Sequence, residues 1–459
     1  MTRTTSIIIL AAGQGTRMRS QLPKVLHPLG GKPLLGHVLD TAFALEPDRV
    51  LVVIGHGAEA IRAHFPDPRI HWVVQPEQLG TGHAVRLALP EIGEQDDVLV
   101  MYGDIPCVPH EALHQLLSAL DEHSLVLQSM RLGEPKGYGR ILRSDAGQPL
   151  AIIEEKDASA AQRALTEVNT GFLAAQCSAL TRWLEVIEPQ NAQGEYYLTD
   201  CLGLAVAEQS SVAVLCAEDS QVFFGINDRL QLAAMERFYQ AGLAKQLLQA
   251  GVTLLDPERL DIRGRLSAAS DVTVDVNVVF EGDVVLEAGV RIGPNCVIRN
   301  AHIGANTVVQ AHCVIEEAVV GANASIGPFA RLRPGAWLAD ETHVGNFVEI
   351  KNSTIAKGSK VNHLSYIGDA ELGEKVNVGA GTITCNYDGA HKHRTVIGDH
   401  AFIGSNTALV APVEVGADAT IGAGSTITRA APEGKLTLSR ASQKTFDAWV
   451  RPKKQNRES

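Results

Sequence analysis

The sequence predicts two domains of different architecture, an α/β domain at residues 1–229 and a parallel β-helix at residues 251–459. Up to residue 227, strand-like apolar runs alternate with helix-like segments, which indicates a Rossmann-like domain with a mostly parallel sheet. An Ala-, Leu- and Gln-rich stretch over 228–250 ends at Gly251 and predicts one long helix, with 230–250 connecting the two domains. From about residue 270, apolar residues recur every six positions.

The prediction of an α/β domain depends on seven apolar runs that have the length of short strands. They cover residues 6–10, 50–54, 70–74, 98–101, 125–127, 212–215 and 222–224.

The six-residue period predicts a parallel β-helix, because a helix would repeat at about 3.6 residues. Three hexads close one triangular coil, and successive coils should lie about 4.8 Å apart. An ordinary sheet domain with short strands is the alternative. Residues 384–396 interrupt the period and are interpreted as a loop inserted into one coil. The periodic positions are Val274, Phe280, Leu286, Ile292, Ile298, Ile303, Val309, Ile315, Val320, Ile326, Leu332, Leu338, Val344, Ile350, Ile355, Val361, Ile367, Leu372, Val378, Ile397, Ile403, Leu409, Val415, Ile421 and Ile427.

Composition narrows the classes of function. The 459 residues carry a formal net charge of −12, which argues against a nucleic-acid partner. No apolar stretch approaches the length of a membrane span, and no secretory signal is recognised. Seven cysteines without a C-x-x-C pair are expected to be buried free thiols of a cytoplasmic protein. The basic tail over 451–459 is expected to be disordered and has no assigned role.

The stretch "ILAAGQGTRM" at residues 9–18 suggests a phosphate-binding loop, although it matches neither the Rossmann fingerprint nor the P-loop. Gly13 and Gly15 can take positive φ angles and bring backbone N–H groups close to an anion. Arg17 and Lys24 add two cations. A plain strand-to-helix turn with solvated cations is the alternative.

Two oxygen-bearing side chains follow apolar runs. Asp104 and Asn227 each stand after such a run, at the edge where open α/β sheets bind ligands. With phosphate oxygens and waters, these two side chains would suit Mg²⁺.

The loop and two further stretches, "QPEQLGTGHAV" and "VLVMYGDIP", closely resemble sugar-nucleotide pyrophosphorylases. The resemblance implies that UTP is a substrate, that Mg²⁺ binds at Asp104 and Asn227, and that Arg17 and Lys24 bind phosphates and act in catalysis. It implies further that Gln75, Gly80 and Thr81 read uracil and that Gly139, Glu154 and Asn169 hold the sugar. The remaining implied nucleotide or sugar contacts are Leu10, Ala11, Ala12, Gly13, Tyr102 and Gly103. Gln14 stands where lysine is common in that family.

The hexad register aligns residues from distant parts of the second half. Arg333 and Lys351 each follow a core position one coil apart, so they should lie side by side and form a phosphate site; a solvated pair of surface charges is the alternative. His363, Ala380, Ser405 and Ala423 each lie two residues past a core position and should form one file. A histidine at the head of a groove of small residues would suit a thin ligand such as a pantetheine arm, whereas tight turns alone would also need small residues.

Four stretches of the second half, "RLRPGAWL", "GNFVEIKNS", "VNHLSYIGDAELGEKVNVGAGTITCNYDG" and "FIGSNTALVAPVEVGADATIGAGS", resemble hexapeptide-repeat acyltransferases, and nearly the whole chain resembles enzymes that join both activities. The general crossover rule favours a right-handed coil, but the resemblance implies a left-handed β-helix. It also implies acetyl transfer from acetyl-CoA to glucosamine 1-phosphate, with His363 as the base and Arg333, Lys351, Tyr366 and Asn377 holding the acceptor. Acetyl-CoA would contact Ala380, Asn386, Tyr387, Ser405, Ala423 and Arg440.

The file and the phosphate pair fall on different faces of the predicted coil. A shared site in a homotrimer, which the resemblance implies, would bring them together. Two other hypotheses remain at this stage: a single-reaction nucleotidyltransferase with a structural or regulatory β-helix, and a pure scaffold. His363 and the 384–396 loop favour the two-reaction enzyme over the former, and the Arg17, Lys24, Asp104 and Asn227 set argues against the latter.

Overall fold

The computed structural model describes residues 4–452. The chain divides into two compact units with a boundary between Tyr239 and Gln240. Residues 453–459, the end of the basic tail, lie outside the described residues. The prediction of a disordered tail therefore falls mostly on residues that the structure does not describe. Within residues 4–452, no helix combines the length and the apolar character needed to cross a membrane.

The first unit is built on one mixed, mostly parallel sheet. Its strands are β1 (Thr5–Ala11), β2 (Arg49–Ile54), β3 (Ile70–Val74), β4 (Asp97–Tyr102), β5 (Leu125–Arg131), β6 (Arg140–Arg143), β7 (Pro149–Ile153), β8 (Glu167–Gln176) and β9 (Val212–Cys216). The order across the sheet is β9-β5-β8-β4-β1-β2-β3, and β6 pairs with β8 and β7 at the side. Along this path only β8 is antiparallel to its neighbours. A short hairpin pairs Pro28–Leu29 with Lys32–Pro33.

Successive strand residues point to opposite sides of the sheet. Both faces are therefore apolar, and helices cover each of them. Ile7 and Ile9 contribute to one apolar core and Ile8 to the other. The helices are α1 (Leu34–Ala44), α2 (Ala58–His64), α3 (Thr81–Ala88), α4 (His110–Ser118), α5 (Ala160–Arg163), α6 (Cys177–Val186), α7 (Asp200–Ala207) and α8 (Arg229–Gln249). The long helix predicted over 228–250 is therefore present as α8.

Six of the seven predicted strands are confirmed, and the run at 222–224 is wrong. That run belongs to a short 3-10 helix, Gln221–Phe223, because Phe223 turns inward onto Phe172, with ring centroids 5.5 Å apart. Strands β6, β7 and β8 are present but were not predicted from the sequence. Of the seven free cysteines, Cys107 and Cys385 are only half-buried and Cys216 is exposed, so the prediction of buried thiols holds for four of them.

The second unit is a parallel β-helix with three faces. Face A is an 11-stranded sheet of Thr253–Leu254, Thr273–Val274, Arg291–Ile292, Val308–Val309, Ser325–Ile326, His343–Asn346, Lys360–His363, Asn377–Val378, Phe402–Ile403, Thr420–Ile421 and Leu436–Thr437. Faces B and C begin together in three bent strands, Leu260–Ala268, Val278–Leu286 and Val297–Ile303. Face B continues through Val314–Glu316, Arg331–Leu332, Glu349–Lys351, Tyr366–Gly368, Ile383–Cys385, Ala408–Val410 and Thr426–Ile427. Face C continues through Val319–Val320, Ala336–Leu338, Ser353–Ile355, Ala370–Leu372, Thr395–Ile397 and Val413–Val415.

The hexad register is confirmed at every predicted core position. All of the periodic residues belong to one buried cluster, and each stacks on its counterpart in the next coil, as Leu332 does on Ile350. Val378 pairs with Ile403, so residues 384–396 are an insertion within one coil, as expected. This register determines which residues of the second candidate site are neighbours on successive coils.

Candidate active sites

The first site is a cavity of about 230 Å³ where β1 and β4 end. Ten of the predicted residues line it: Leu10, Ala11, Ala12, Gly13, Lys24, Gln75, Gly80, Thr81, Tyr102 and Asp104. Gly103 lies behind the lining, and its N–H donates to the carbonyl of Leu10 at 3.0 Å. The loop that was predicted to bind phosphate therefore borders a real cavity at the carboxyl edge of the sheet.

The two glycines of the loop have different roles. Gly15 adopts a φ of +61°, and a Cβ there would lie 2.7 Å from Cβ of Lys24, so only glycine lets Lys24 approach. Gly13 was also predicted to have the freedom of positive φ, but it lies outside the positive-φ set, and a Cβ there would meet nothing within 4 Å. Its lack of a side chain keeps the cavity open.

Lys24 lies between the two predicted metal ligands. Its Nζ is 2.5 Å from Oδ2 of Asp104 and 3.2 Å from Oδ1 of Asn227. Asn227 does not follow a strand, contrary to expectation; it is held because Ile226 N–H donates to the carbonyl of Asp104 at 3.0 Å and because its own N–H donates to Gln231 in α8 at 2.7 Å. Two side-chain oxygens therefore converge on one point that already attracts a cation.

The structure places Arg17 differently from Lys24. Arg17 lies on the 3-10 turn Thr16–Met18, is exposed and is outside the lining of the cavity. Gln14 is also exposed, and its amide donates to Oε1 of Gln78 at 3.0 Å, which joins the phosphate loop to the segment that carries Gln75.

The segment at the other side of the cavity is fixed by backbone contacts. Gln75 is 3% exposed, and its amide donates to the carbonyl of Gly80 at 3.1 Å. Gly80 lies against Tyr196, whose carbonyl oxygen would be 2.6 Å from a Cβ at residue 80. Thr81 Oγ1 accepts the N–H of Leu198 at 3.2 Å. These three predicted uracil contacts therefore share one rigid corner.

The three predicted sugar contacts lie close together, with Gly139 directly before β6, Glu154 directly after β7 and Asn169 on β8. Asn169 N–H donates to the carbonyl of Gly139 at 2.8 Å, and a Cβ at Gly139 would lie 3.4 Å from Oε1 of Glu154. Burial raises the pKa of Glu154, which accepts a hydrogen bond from Thr199 at 3.0 Å. Burial, and then the charges of Glu154 and Asp104, raise the pKa of Tyr102. Tyr102 lines the cavity, whereas Gly139, Glu154 and Asn169 are outside its lining.

The cavity also contains residues that were not predicted. Gln78 and Glu195 line it. Gln78 lies inside the stretch "QPEQLGTGHAV", so the resemblance of that stretch could have indicated it. Glu195 comes from a loop far along the chain, and no sequence pattern indicated it.

The second site begins with a column of charges on face B that alternates in sign. The column reads Arg263, Glu281, Arg299, Glu316, Arg333 and Lys351. Opposite charges pair between coils, as Arg299 does with Glu316 at 2.7 Å. The alternation fails at Arg333 and Lys351, which are neighbours as predicted. An excess of positive charge at that level is suited to an anion.

A third cation, Lys392 of the inserted loop, reaches the same place and was missed because it lies outside the hexad period. Contact with Lys392, and to a smaller extent the charge of Arg333, lowers the pKa of Lys351. Arg333 is also bound by Glu349 at 2.7 Å. Tyr366 lies in the coil after Glu349 and is its partner in the parallel sheet. Its hydroxyl lies over Gly368, which is in register with Lys351, so it is on the side of the cations.

The predicted file is present along face A. Gly381 N–H donates to the carbonyl of His363, Asn406 N–H to that of Ala380, and Gly424 N–H to that of Ser405, at 3.2, 2.7 and 2.8 Å. Arg440 Nη1 donates to the carbonyl of Ala423 at 2.9 Å. Asn377 is on the same face, in the strand next to the one that ends at His363.

His363 has one partner that the sequence did not indicate. Its Nδ1 is 3.4 Å from Oδ1 of Asn346 in the preceding coil. An amide oxygen only accepts, so this contact is a hydrogen bond in the tautomer in which Nδ1 bears the hydrogen and Nε2 has the lone pair. Asn346 therefore orients an exposed imidazole whose free nitrogen can take a proton.

The inserted loop holds the last two predicted residues. Asn386 is 8% exposed and donates through its amide to Asp369. Tyr387 is 61% exposed, and its hydroxyl donates to the carbonyl of Gly389 at 2.6 Å. Within this chain the loop lies beside Arg333 and Lys351 on face B, and His363 ends the strand on face A.

Comparison with known proteins agrees with this architecture. Residues 7–179 match the MobA-like NTP transferase domain, residues 262–346 the GMPPB C-terminal domain, and residues 394–429 the bacterial transferase hexapeptide with six repeats. Fold and sites thus define a nucleotidyltransferase unit followed by a left-handed β-helix of the hexapeptide transferase type.

Full-length relatives define the family. The chain is 56% identical to bifunctional protein GlmU of Alkalilimnicola ehrlichii over 98% of this chain and 97% of that protein. It is 54% identical to the proteins of the same name from Marinobacter nauticus and Ralstonia pickettii, over 98–99% of this chain and 99–100% of theirs. The chain belongs to the GlmU family of bifunctional proteins.

Proposed function

We propose that this protein catalyses two successive reactions. The β-helix unit acetylates glucosamine 1-phosphate with acetyl-CoA, and the first unit transfers UMP from UTP to N-acetylglucosamine 1-phosphate, giving UDP-N-acetylglucosamine and pyrophosphate. The observation that carries the proposal is that one chain combines a cavity lined by Lys24 and Asp104 in its first unit with adjacent cations and an exposed histidine on its β-helix.

In uridylyl transfer, an oxygen of the sugar phosphate attacks the α-phosphorus of UTP, and pyrophosphate leaves. Both reactants are anions, so positioning and neutralisation of charge supply most of the catalysis. Lys24 faces the cavity and binds the triphosphate, while Gln75 and Thr81 border the base and Glu154 and Asn169 border the sugar. Arg17 reaches the phosphates from the rim of the loop.

A divalent cation fits at Asp104 and Asn227. Their oxygens converge on the Nζ of Lys24, which shows that this point favours positive charge, and two oxygen ligands with several waters are the set that Mg²⁺ prefers. When bound, Mg²⁺ neutralises phosphate oxygens. Lys24, which lines the same cavity, would face the triphosphate.

In acetyl transfer, the amine of glucosamine 1-phosphate must lose a proton before it attacks the thioester carbonyl. Nε2 of His363 takes that proton, and Asn346 holds the tautomer that makes this feasible. The new N–C bond replaces the C–S bond, and the CoA thiolate leaves. Arg333, Lys351 and Tyr366 hold the acceptor, and Asn377 contacts its sugar. The small residues after His363, together with Asn386, Tyr387 and Arg440, border CoA.

The reactive groups come together in a homotrimer. At the corner between faces A and B, one column contains His312, Phe329, Phe347 and Leu364, all with φ between 48° and 61°. Asparagine or glycine is favoured in that conformation, and bulky side chains are not. The rings stack, with centroids 4.7 and 5.3 Å apart, yet Phe347 is 56% and Leu364 63% exposed.

This apolar corner lies at the coils that carry Arg333 and Lys351. We therefore assign it to contacts between copies, which would bring one subunit's His363 to the next subunit's Arg333. Phe347→Asp is expected to give monomers by light scattering and to lose acetyl transfer while keeping uridylyl transfer. Trp337→Asp, which changes a 47% exposed side chain on face C, is the control that should leave the trimer intact.

Reciprocal substitutions in the full chain test the two-reaction proposal. His363→Ala should abolish acetyl transfer and spare uridylyl transfer, and Asp104→Ala should do the reverse. A single-activity nucleotidyltransferase with a structural β-helix would show no acetyl transfer in the unmodified protein. Free thiols and the use of UTP and acetyl-CoA support action in the cytoplasm.

A further inference from the structure

The first unit buries a charged side chain beside the proposed sugar cluster. Arg140 opens strand β6 and is 1% exposed. Its Nη2 lies 2.7 Å from Oε2 of Glu155 and donates to the carbonyl of Arg163 at 3.2 Å, and its Nη1 donates to the carbonyl of Tyr138. One guanidinium thus ties together three segments of chain.

These contacts bracket the residues assigned to the sugar. Gly139 stands between Tyr138 and Arg140, and Glu154 directly precedes Glu155. Glu155 also accepts the N–H of Gly137 at 3.3 Å. The guanidinium therefore fixes the backbone on both sides of Gly139 and next to Glu154, without lining the cavity itself.

Stability alone does not account for a buried arginine here. Burying a guanidinium carries a desolvation penalty that its ion pair often fails to recover, and replacing both members of such a pair by apolar residues is often neutral. In addition, Nε of Arg140 is buried without a hydrogen-bond partner among residues 4–452. Glu155 keeps 29% side-chain exposure, so water can solvate it if the arginine is removed. The contacts of Arg140 are better suited to fixing geometry.

We propose that Arg140 is a positioning residue that holds Gly139 and Glu154 in the geometry that binds the sugar-phosphate acceptor of uridylyl transfer. The inference rests on the proposed function, since it names the site that Arg140 supports. Its effect should be confined to the acceptor, because the contacts of Arg140 bracket the residues assigned to the sugar and lie outside the lining of the cavity.

Steady-state kinetics of Arg140→Met and of a matched control test this role. Arg143→Met removes another arginine of the same strand, one that binds Glu167 at 2.7 and 2.8 Å away from Gly139 and Glu154. For Arg140→Met, we expect KM for N-acetylglucosamine 1-phosphate to rise about 10-fold or more, with KM for UTP changed less than about twofold. Arg143→Met should leave both values within about twofold, and Arg140→Lys should recover part of the loss.

Thermal unfolding and acetyl transfer by the same samples report whether each variant is folded. If Arg140→Met does not fold, Glu155→Gln, which weakens the same link, should give the same selective rise in KM. Equal rises for both substrates, or a rise no larger than in Arg143→Met, would overturn the proposal. If the unmodified protein makes no UDP-N-acetylglucosamine, the proposed function itself fails, and the two failures are thereby distinguished.

Discussion

Acetyl transfer should be restored when two inactive variants are mixed, because the base and the phosphate site lie on different faces of each chain. His363 ends a strand of face A, whereas Lys351 ends a strand of face B. Lys351 is in register with Gly368, five residues past His363, a chain length of about 16 Å. This is the path around the corner between two faces whose side chains point in different directions, so we expect a neighbouring subunit to join the two halves of the site.

The expected recovery follows from counting subunits. In the homotrimer that we propose, each site would take His363 from one chain and Arg333 from the next. In trimers assembled at random from equal amounts of His363→Ala and Arg333→Ala chains, a site is intact only when the first chain carries the arginine substitution and the second the histidine substitution. About one quarter of the sites should then be intact, whereas a site within one chain would give none.

The assay is release of CoA thiol after the two variants are unfolded together, refolded and compared with each variant treated alone. Uridylyl transfer by the same samples, which should equal that of the unmodified protein, controls for refolding. Recovery near one quarter supports the shared site. If the refolded mixture is trimeric and fully active in uridylyl transfer but has no acetyl transfer, the reasoning from the faces is refuted.

Three further outcomes are expected. Asp104→Asn should lower uridylyl transfer at least about 100-fold and raise the Mg²⁺ concentration needed for half-maximal rate, with acetyl transfer unchanged; equal Mg²⁺ dependence would count against a metal at this point. Because Lys392 lowers the pKa of Lys351, KM for glucosamine 1-phosphate should rise with pH as Lys351 loses its proton, and in Lys392→Met this rise should move to higher pH, which a pH series would detect. Gln14→Lys breaks the contact with Gln78 and adds a cation, so KM for UTP should fall about threefold at low salt and the difference should shrink at high salt; a salt-independent change would point to the lost contact instead.

The part of the second site that could be predicted from sequence was the part that obeys the period. A strict six-residue repeat fixes both the face and the coil of each residue, so the neighbours Arg333 and Lys351 and the file headed by His363 followed from counting. Lys392 could not be placed in this way, because the 13-residue stretch 384–396 has no period and its path depends on contacts such as that of Asn386 with Asp369.

In the first unit, sequence patterns located six of the nine strands of the sheet but could not give the contacts between distant segments. The sequence placed Asn227 at the end of a strand that does not exist; it is held near Asp104 because the N–H of the preceding residue, Ile226, donates to the carbonyl of Asp104. Arg17 and Lys24 are both cations that follow the same loop in the sequence. Only Lys24 turns into the cavity, because Gly15 leaves room for it. Such differences depend on φ angles and close approaches, which have no periodic signal.

The charge column on face B gives a physical reason for proposing the acceptor site at Arg333 and Lys351. A β-helix puts equivalent side chains about 4.8 Å apart on successive coils, so like charges in one column repel and opposite charges pair. From Arg263 to Arg333 the signs alternate, and the chain needs no ligand there. Lys351 repeats the sign of Arg333 at a spacing at which one phosphate can accept hydrogen bonds from both. Glu349 offsets part of this charge through its ion pair with Arg333, but Lys351 stays beside Lys392, and a bound sugar phosphate would relieve that remaining repulsion.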